Sequence, residues 1–345
     1  MPVHRIHSKE NTVATTSNTL NTRTSLQEAI PLAVPLAVYF DITNKCNFSC
    51  SWCPTGNDLQ PDVGQGMMRL ELFEKIVKDF EFLVEKTGKK IKTLNLFWMG
   101  EPLLNKDLYQ MIRVAKQANI TERIMVTTNG SLLNEANSEK LVESGVDLVS
   151  ISFYGLSNQD YRLVHNSIGF DNIVRNGRNL LSARARSGGA LPLVAAKFFE
   201  KNPSLENLLV KELKCVDVVA YESPFNWSSE YSKQTGQVVK IEVPGPMKVC
   251  PSPWFVMSIG WDGHVGVCCA DWKYDIDVGN LNRQSVFEVW NGEKLLGIRM
   301  LIAARRYSEI GACKGCTYFK VSHDDATNID ELIENELERA LSRAA

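Results

Sequence analysis

From residue 36 to about residue 222 the chain alternates short apolar runs with longer stretches of helical periodicity. LAVYFDIT (36–43), IKTLNLFWM (91–99), RIMVTTNG (123–130), VDLVSISFYG (146–155), LPLVAAKFF (191–199) and CVDVVAYES (215–223) are the apolar runs, and each predicts a strand. Between them, 69–86 carries apolar residues at i, i+3, i+4 spacing. The stretch 105–118 reads as a helix opened by an Asn cap, and 134–145 as a helix with a Gly stop. Strands separated by helices imply parallel pairing through right-handed crossovers. Nearly continuous apolar runs suit a sheet buried on both faces. A partial (β/α)6 barrel and an open doubly wound sheet both meet these conditions. In either, function belongs at the C-terminal ends of the strands.

The texture changes after residue 240. A Pro-rich loop, PGPMKVCPSPW, precedes two apolar runs joined at Trp261-Asp262-Gly263, a hairpin signal. Residues 285–306 read as a helix in two pieces, broken at Asn291-Gly292. This segment holds too little core to stand without a staple. The expected organisation is a flexible polar tail (1–35), the barrel (36–240), a small second domain (241–325) and an amphipathic C-terminal helix (326–345), packed on the body or on a second copy.

The net charge of −2 gives no general attraction to nucleic acid or anionic membrane. No apolar run approaches the roughly 20 residues of a membrane span, and the polar N-terminus lacks a signal-peptide core. A cytoplasmic protein is therefore expected. The nine cysteines fall in clusters: three at 46–53, one at 215, three at 250–269 and two at 313–316. Clustered thiols in a reducing compartment bind metal more often than each other.

Cys46, Cys50 and Cys53 follow the first strand with no fourth cysteine nearby. A cubane held by three thiolates leaves one iron open to a small molecule. The spacing CxxxCxΦC, with Trp52 before the third cysteine, resembles the signature of the radical SAM superfamily. Trp98-Met99-Gly100-Glu101-Pro102 resembles the family's GEP motif, and Thr127-Thr128-Asn129-Gly130 resembles its strand-end TNG. Ser152 and Asn202 stand where that family places further contacts to S-adenosylmethionine. The resemblance implies a radical SAM barrel with Cys46, Cys50 and Cys53 on a 4Fe–4S cluster. It also implies contacts to S-adenosylmethionine from Trp52, Gly100, Glu101, Pro102, Thr128, Asn129, Ser152 and Asn202. The implied chemistry is reductive cleavage to a 5′-deoxyadenosyl radical, fed by a donor such as flavodoxin or ferredoxin.

Cys250, Cys268, Cys313 and Cys316 come from three separated segments and would close a four-thiolate site, for zinc or for iron and sulfur. Their pattern, C-x12-G-x4-C followed by C-x2-C, resembles the SPASM and shortened twitch extensions of radical SAM enzymes. The intervals resemble those of a 2-deoxy-scyllo-inosamine dehydrogenase of the twitch type. That resemblance implies a second, auxiliary 4Fe–4S cluster. Gly-x4-Cys spacing selects Cys268 over Cys269, and neighbours on a strand point to opposite faces.

A fully ligated auxiliary cluster has no iron free to hold substrate, and accepting an electron is the role left to it. The expected reaction is therefore oxidation of a small molecule of the sugar or aminocyclitol type. Two alternatives stay open. One is peptide maturation, disfavoured because only some 35 polar residues precede the first strand. The other is redox-neutral epimerisation, with Cys269 or Cys215 giving back a hydrogen atom; otherwise those two cysteines are small core residues. Tyr154, Lys197 and Glu222 are candidate catalytic residues on position at strand ends, and Asn226 and Trp227 candidate contacts. Arg162 and His165 could meet a polar substrate or solvent.

Overall fold

The computed structural model describes residues 32–50, 52–56, 64–164, 169–198, 203–221, 227–235 and 249–318. Nine strands form one sheet: β1 (Ala37–Phe40), β2 (Ile91–Asn95), β3 (Thr121–Thr128), β4 (Leu148–Ser152), β5 (Leu193–Phe198), β6 (Val218–Tyr221), β7 (Val256–Ile259), β8 (His264–Gly266) and β9 (Gly279–Asn280). Its order is β6-β5-β4-β3-β2-β1-β7-β8-β9, with the first six strands parallel. A doubly wound sheet would reverse direction partway. The sequential order instead gives the open (β/α)6 half-barrel.

Helices α1 (Leu70–Thr87), α2 (Leu108–Ala118), α3 (Glu135–Ser144), α4 (Asn158–Val164), α5 (Phe170–Ser187) and α6 (Pro203–Glu206) supply the crossovers. Phe40 meets Phe73 of α1 with ring centroids 4.9 Å apart, which marks the helix-covered face of the sheet. Paired residues of parallel strands share a face. Val38, Leu94, Ile124, Val149 and Val194 therefore line the covered face, and all are buried. The opposite face carries Tyr39, Asn95, Thr127, Ser150, Ser152 and Lys197. The half-barrel is thus apolar outside and polar within its lumen.

Three expectations change. Asn105 does not cap α2, which begins at Leu108. Its amide instead donates to the carbonyls of Ile42 (2.9 Å) and Met68 (3.1 Å), tying the loops after β1 and before α1. The N-terminal tail ends sooner than residue 35, because Val34 is buried and the Leu32 carbonyl accepts the Trp290 indole N–H at 2.9 Å. The segment after residue 240 is joined to the barrel by backbone: β7 runs parallel to β1, from Ala37↔Val256 to Phe40↔Ile259. The predicted hairpin is present as antiparallel β7 and β8. The remaining helices are α7 (Ser229–Thr235), α8 (Ser252–Phe255), α9 (Val286–Trp290) and α10 (Glu293–Ala303), and the last two divide at Asn291-Gly292 as the sequence indicated. The expected helix over 326–345 lies outside the described residues.

A capping box at Ser285 and Glu288 opens α9. The buried Trp290 ring at its end lies under the Arg299 guanidinium, 4.9 Å from the ring centroid. Trp290→Ala should cost about 3–5 kcal/mol, read as a lower urea midpoint.

Candidate functional site

The first thiol group sits on the loop that leaves β1. The Cys53 N–H donates to the Cys50 carbonyl at 3.1 Å, and the Phe48 N–H reaches Cys46 Sγ at 3.4 Å. The Asn129 amide lies 3.9 Å from the same sulfur and donates to Asn47 Oδ1 at 2.9 Å. Two glycines permit the fit. A Cβ on Gly56 would stand 2.5 Å from the Cys50 nitrogen, and one on Gly100 would stand 2.0 Å from the Thr43 carbonyl oxygen. The Glu101 N–H closes the contact by donating to the Lys45 carbonyl at 2.8 Å.

Burial, with the charge of neighbouring thiols added, pushes Cys46 up to about 12 and lifts Cys50 further; burial also raises Cys53. As free thiols these groups keep their protons, and a positive centre is what would hold them as thiolates. Among the described residues, no three His, Cys, Asp or Glu side chains converge as a single metal ion would require. The donor set is one of buried sulfurs within electrostatic reach of each other, with backbone N–H donors at Cys46 and Cys53. That set fits a thiolate-held iron–sulfur cluster.

Glu101 reads differently in the structure than in the sequence. Its buried carboxylate accepts from the Leu103 N–H (3.1 Å), the Thr128 hydroxyl (2.7 Å) and the Asn129 N–H (2.7 Å). It fastens the end of β3 to the turn after β2, and what the turn offers a ligand is backbone. Thr128 and Asn129 are drawn to the first thiol group by the same bonds. Pro102 opens a 3-10 turn, Pro102–Leu104. Tyr154 packs on Trp52 with centroids 5.3 Å apart, and its hydroxyl hydrogen-bonds with Ser152 and with Cys50. Tyr154 therefore belongs to the thiol site. Lys197 pairs in register with Ser152 on the lumen face. Cys215 lies before β6, at the N-terminal end of the sheet, fully buried, with its thiol 3.6 Å from the Leu209 carbonyl. Burial raises that thiol to about 11. It sits at the opposite end of β6 from the strand ends, so geometry favours a core role over hydrogen donation. Arg162 falls on α4. Asn202, Glu222, Asn226 and His165 lie outside the described residues.

Cys250, Cys268, Cys313 and Cys316 form the second group. Charge on Cys269, and then on Cys250, Cys316 and Cys313, would each raise Cys268 beyond what burial does. Burial brings Cys316 to about 12. The Ala270 N–H donates to Cys268 Sγ and the Tyr318 N–H to Cys316 Sγ, each at 3.3 Å. Cys269 Sγ lies 3.1 Å from the Tyr318 hydroxyl. Helix α7 packs on the Cys313–Cys316 turn, where the Ser229 N–H donates to the Lys314 carbonyl at 2.8 Å.

Sequence reasoning missed what joins the groups. The Trp98 indole N–H donates to the Cys269 carbonyl at 2.7 Å. Tyr274 meets the Trp98 ring edge-on at 4.9 Å and hydrogen-bonds through its hydroxyl to Asp41. Met99, Tyr231 and Trp272 make a second apolar cluster, with Trp98 and Trp227 packed against it. The one signal was Asp41, an acidic residue ending an apolar strand run.

Residues 40–191 match the Radical SAM superfamily model, and residues 250–317 match the iron–sulfur cluster-binding domain model called SPASM. GTP 3′,8-cyclase of Staphylococcus haemolyticus is 31% identical over 126 residues, 36% of each chain. A probable GTP 3′,8-cyclase of Sulfurisphaera tokodaii is 31% identical over 147 residues, 42% of each chain. The chain thus spans less than half the length of these curated relatives. Among solved structures, BtrN in complex with AdoMet and 2-DOIA aligns with a TM-score of 0.57 at 16% identity, covering 86% of this chain and 98% of that one. Streptococcus suis SuiB bound to precursor peptide SuiA aligns with a TM-score of 0.54 at 15% identity, covering 90% and 75%. At these identities the likeness is one of fold.

Two outcomes are expected. Gly100→Ala forces two loops apart, because the added carbon meets backbone; iron bound after reconstitution should fall by about half, with the loss at the first group by Mössbauer spectroscopy. Glu101→Gln turns one acceptor into a donor facing Thr128 or Asn129 and should cost about 1–3 kcal/mol. Burial lifts Glu101 from its ordinary 4.5 to about 7, so the folded chain holds a proton that the unfolded chain loses. This contribution is fully present below 4.5 and disappears as pH rises through about 7. Urea unfolding of the cofactor-free chain across that range should show a shallower fall for Glu101→Gln than for the wild type.

Proposed function

Since the chain is a radical SAM superfamily member with a SPASM iron–sulfur domain, we propose that it dehydrogenates a polyhydroxylated small molecule of the sugar or aminocyclitol class. Its cofactors are S-adenosylmethionine and two iron–sulfur clusters. The chemistry these groups supply when bound is reductive cleavage of S-adenosylmethionine, abstraction of a substrate hydrogen atom and, at the second cluster, acceptance of an electron.

In this reading Cys46, Cys50 and Cys53 hold the first cluster. The backbone of Gly100–Pro102, with Thr128, Asn129 and Ser152, orients S-adenosylmethionine, and Trp52 closes the side where Tyr154 packs. Cys250, Cys268, Cys313 and Cys316 hold the second cluster. Lumen residues Thr127, Ser150 and Lys197 offer hydroxyl and ammonium groups to substrate oxygens, and a polyhydroxylated ring can answer each of them. A hydrogen atom, a proton and an electron leave the substrate together, which makes an alcohol into a ketone. A low-potential donor of the flavodoxin or ferredoxin kind supplies the first electron.

The observation that carries the reading is the second thiol group: four sulfurs within electrostatic reach of each other, gathered from three segments around the end of a hairpin that shares the barrel's own sheet. A redox centre fixed there serves an oxidation and has no use in simple isomerisation. Deuterated polyols and aminocyclitols, offered to the anaerobically reconstituted protein, should pass label into 5′-deoxyadenosine by mass spectrometry. Cys50→Ala should abolish S-adenosylmethionine cleavage, whereas Cys313→Ala should keep some cleavage and lose the ketone. Label arriving only from peptides would sink the small-molecule reading. Equal loss of cleavage and ketone in a folded Cys313→Ala protein with its first cluster loaded would sink the electron-acceptor role.

A further inference from the structure

We propose that Asp41, Tyr274 and Trp98 form a brace through which the iron–sulfur extension sets the backbone of the Met99–Gly100 turn, so that the two thiol groups behave as one unit. The role of that turn in holding S-adenosylmethionine rests on the reading above; the brace itself does not.

The bonds close a ring. Asp41 directly follows β1, is 0% exposed, and donates its own N–H to the Ile259 carbonyl of β7 at 2.8 Å. One carboxylate oxygen accepts the Met99 N–H at 3.1 Å, and the other accepts the Tyr274 hydroxyl. The Tyr274 ring stands edge-on to Trp98, whose indole holds the Cys269 carbonyl beside Cys268. Trp98 is the chain neighbour of Met99, which completes the circuit.

Tyr274 sits at φ 54, in the left-handed region. That conformation costs a non-glycine residue about 1–2 kcal/mol, and a bulky side chain adopts it only where surrounding contacts over-determine it. Here the contacts are the carboxylate on one side and the Trp98 ring on the other. A buried carboxyl must have its oxygens satisfied. Without the Tyr274 hydroxyl, Asp41 is left with the backbone donors of the turn, Met99 and Gly100, and its grip on the Met99 N–H changes. The extension thereby reaches the turn by way of a barrel residue. By linkage, whatever steadies the turn also steadies the hairpin end that carries Cys268.

The brace makes Tyr274 and Asp41 positioning residues. Amide hydrogen exchange on the cofactor-free chain tests the brace, and S-adenosylmethionine titration of the reconstituted protein, followed by electron paramagnetic resonance, tests its consequence. Tyr274→Phe should speed exchange at Met99 about tenfold and raise the Kd for S-adenosylmethionine by a similar factor. Asp41→Asn keeps an acceptor for Met99 and a polar partner for Tyr274, so it should stay within about threefold of wild type, whereas Asp41→Ala should behave like Tyr274→Phe. Should Tyr274→Phe fail to fold, Trp98→Phe keeps an aromatic ring beside Tyr274 and removes the indole donor; it should speed the same amide. Wild-type exchange at Met99 in whichever of these two variants folds would overturn the brace. So would loss of iron from the second group with an unchanged Kd, since Tyr274 would then serve only its own loop. A wild-type protein that shows no spectral response to S-adenosylmethionine would instead remove the functional reading and leave the exchange result to decide the brace.

Discussion

Withdrawing a thiolate from water costs several kcal/mol unless a positive centre replaces the lost hydration, and this chain withdraws seven thiols in two groups. Burial is the first cause of every upward shift among them. The surroundings answer with backbone N–H donors at Cys46, Cys268 and Cys316. None of these donors brings a competing charge. They would favour the thiolate once iron arrives, and they leave the free thiols protonated until then. The close approaches at Gly56 and Gly100 follow from the same demand, since a loop that must present sulfurs to one centre has no room for a Cβ behind it.

The sheet explains how two such groups can serve one reaction. Were the extension a separate body, its thiols could drift relative to the barrel. The pairing of β7 with β1 removes that freedom: Phe40 and Ile259 share a rung, and Asp41 begins the loop that leads to Cys46. The second group therefore hangs from the strand that delivers the first. The lumen lies on the face of this sheet that the helices leave uncovered, and its polar lining of Thr127, Ser150, Ser152 and Lys197 sits at the same strand ends.

Much of this was legible because it is local. Strand runs, the Gly145 stop, the hairpin at Gly263 and the break at Asn291-Gly292 all depend on residues within a few positions of each other. Cysteine spacing is local too. What the sequence did not disclose depends on pairs far apart in the chain. Asn105 carries every mark of a cap, yet its side chain serves the carbonyls of Ile42 and Met68. Glu101 stands in a motif tied to ligand binding, and its carboxylate is occupied by β3. Tyr154 was a candidate by its position at a strand end alone, and the ring it packs on, Trp52, is 102 positions away. Asp41 and Tyr274 are 233 positions apart, and no periodicity relates them.

The two neighbouring cysteines show where spacing and geometry meet. Cys268 receives the Ala270 N–H and feels the charge of all three other candidate ligands. Cys269 lies against the Tyr318 hydroxyl, and its charge would reach both Cys268 and Cys316. Both lie past the end of β8, in a loop and turn where no strand alternation separates them. That leaves the backbone between them to be fixed, and the Trp98 indole on the Cys269 carbonyl fixes it from the barrel side. A hairpin end held in this way keeps both sulfurs close to the group. The Cys269 carbonyl is thus the point at which the barrel anchors the hairpin end that carries Cys268.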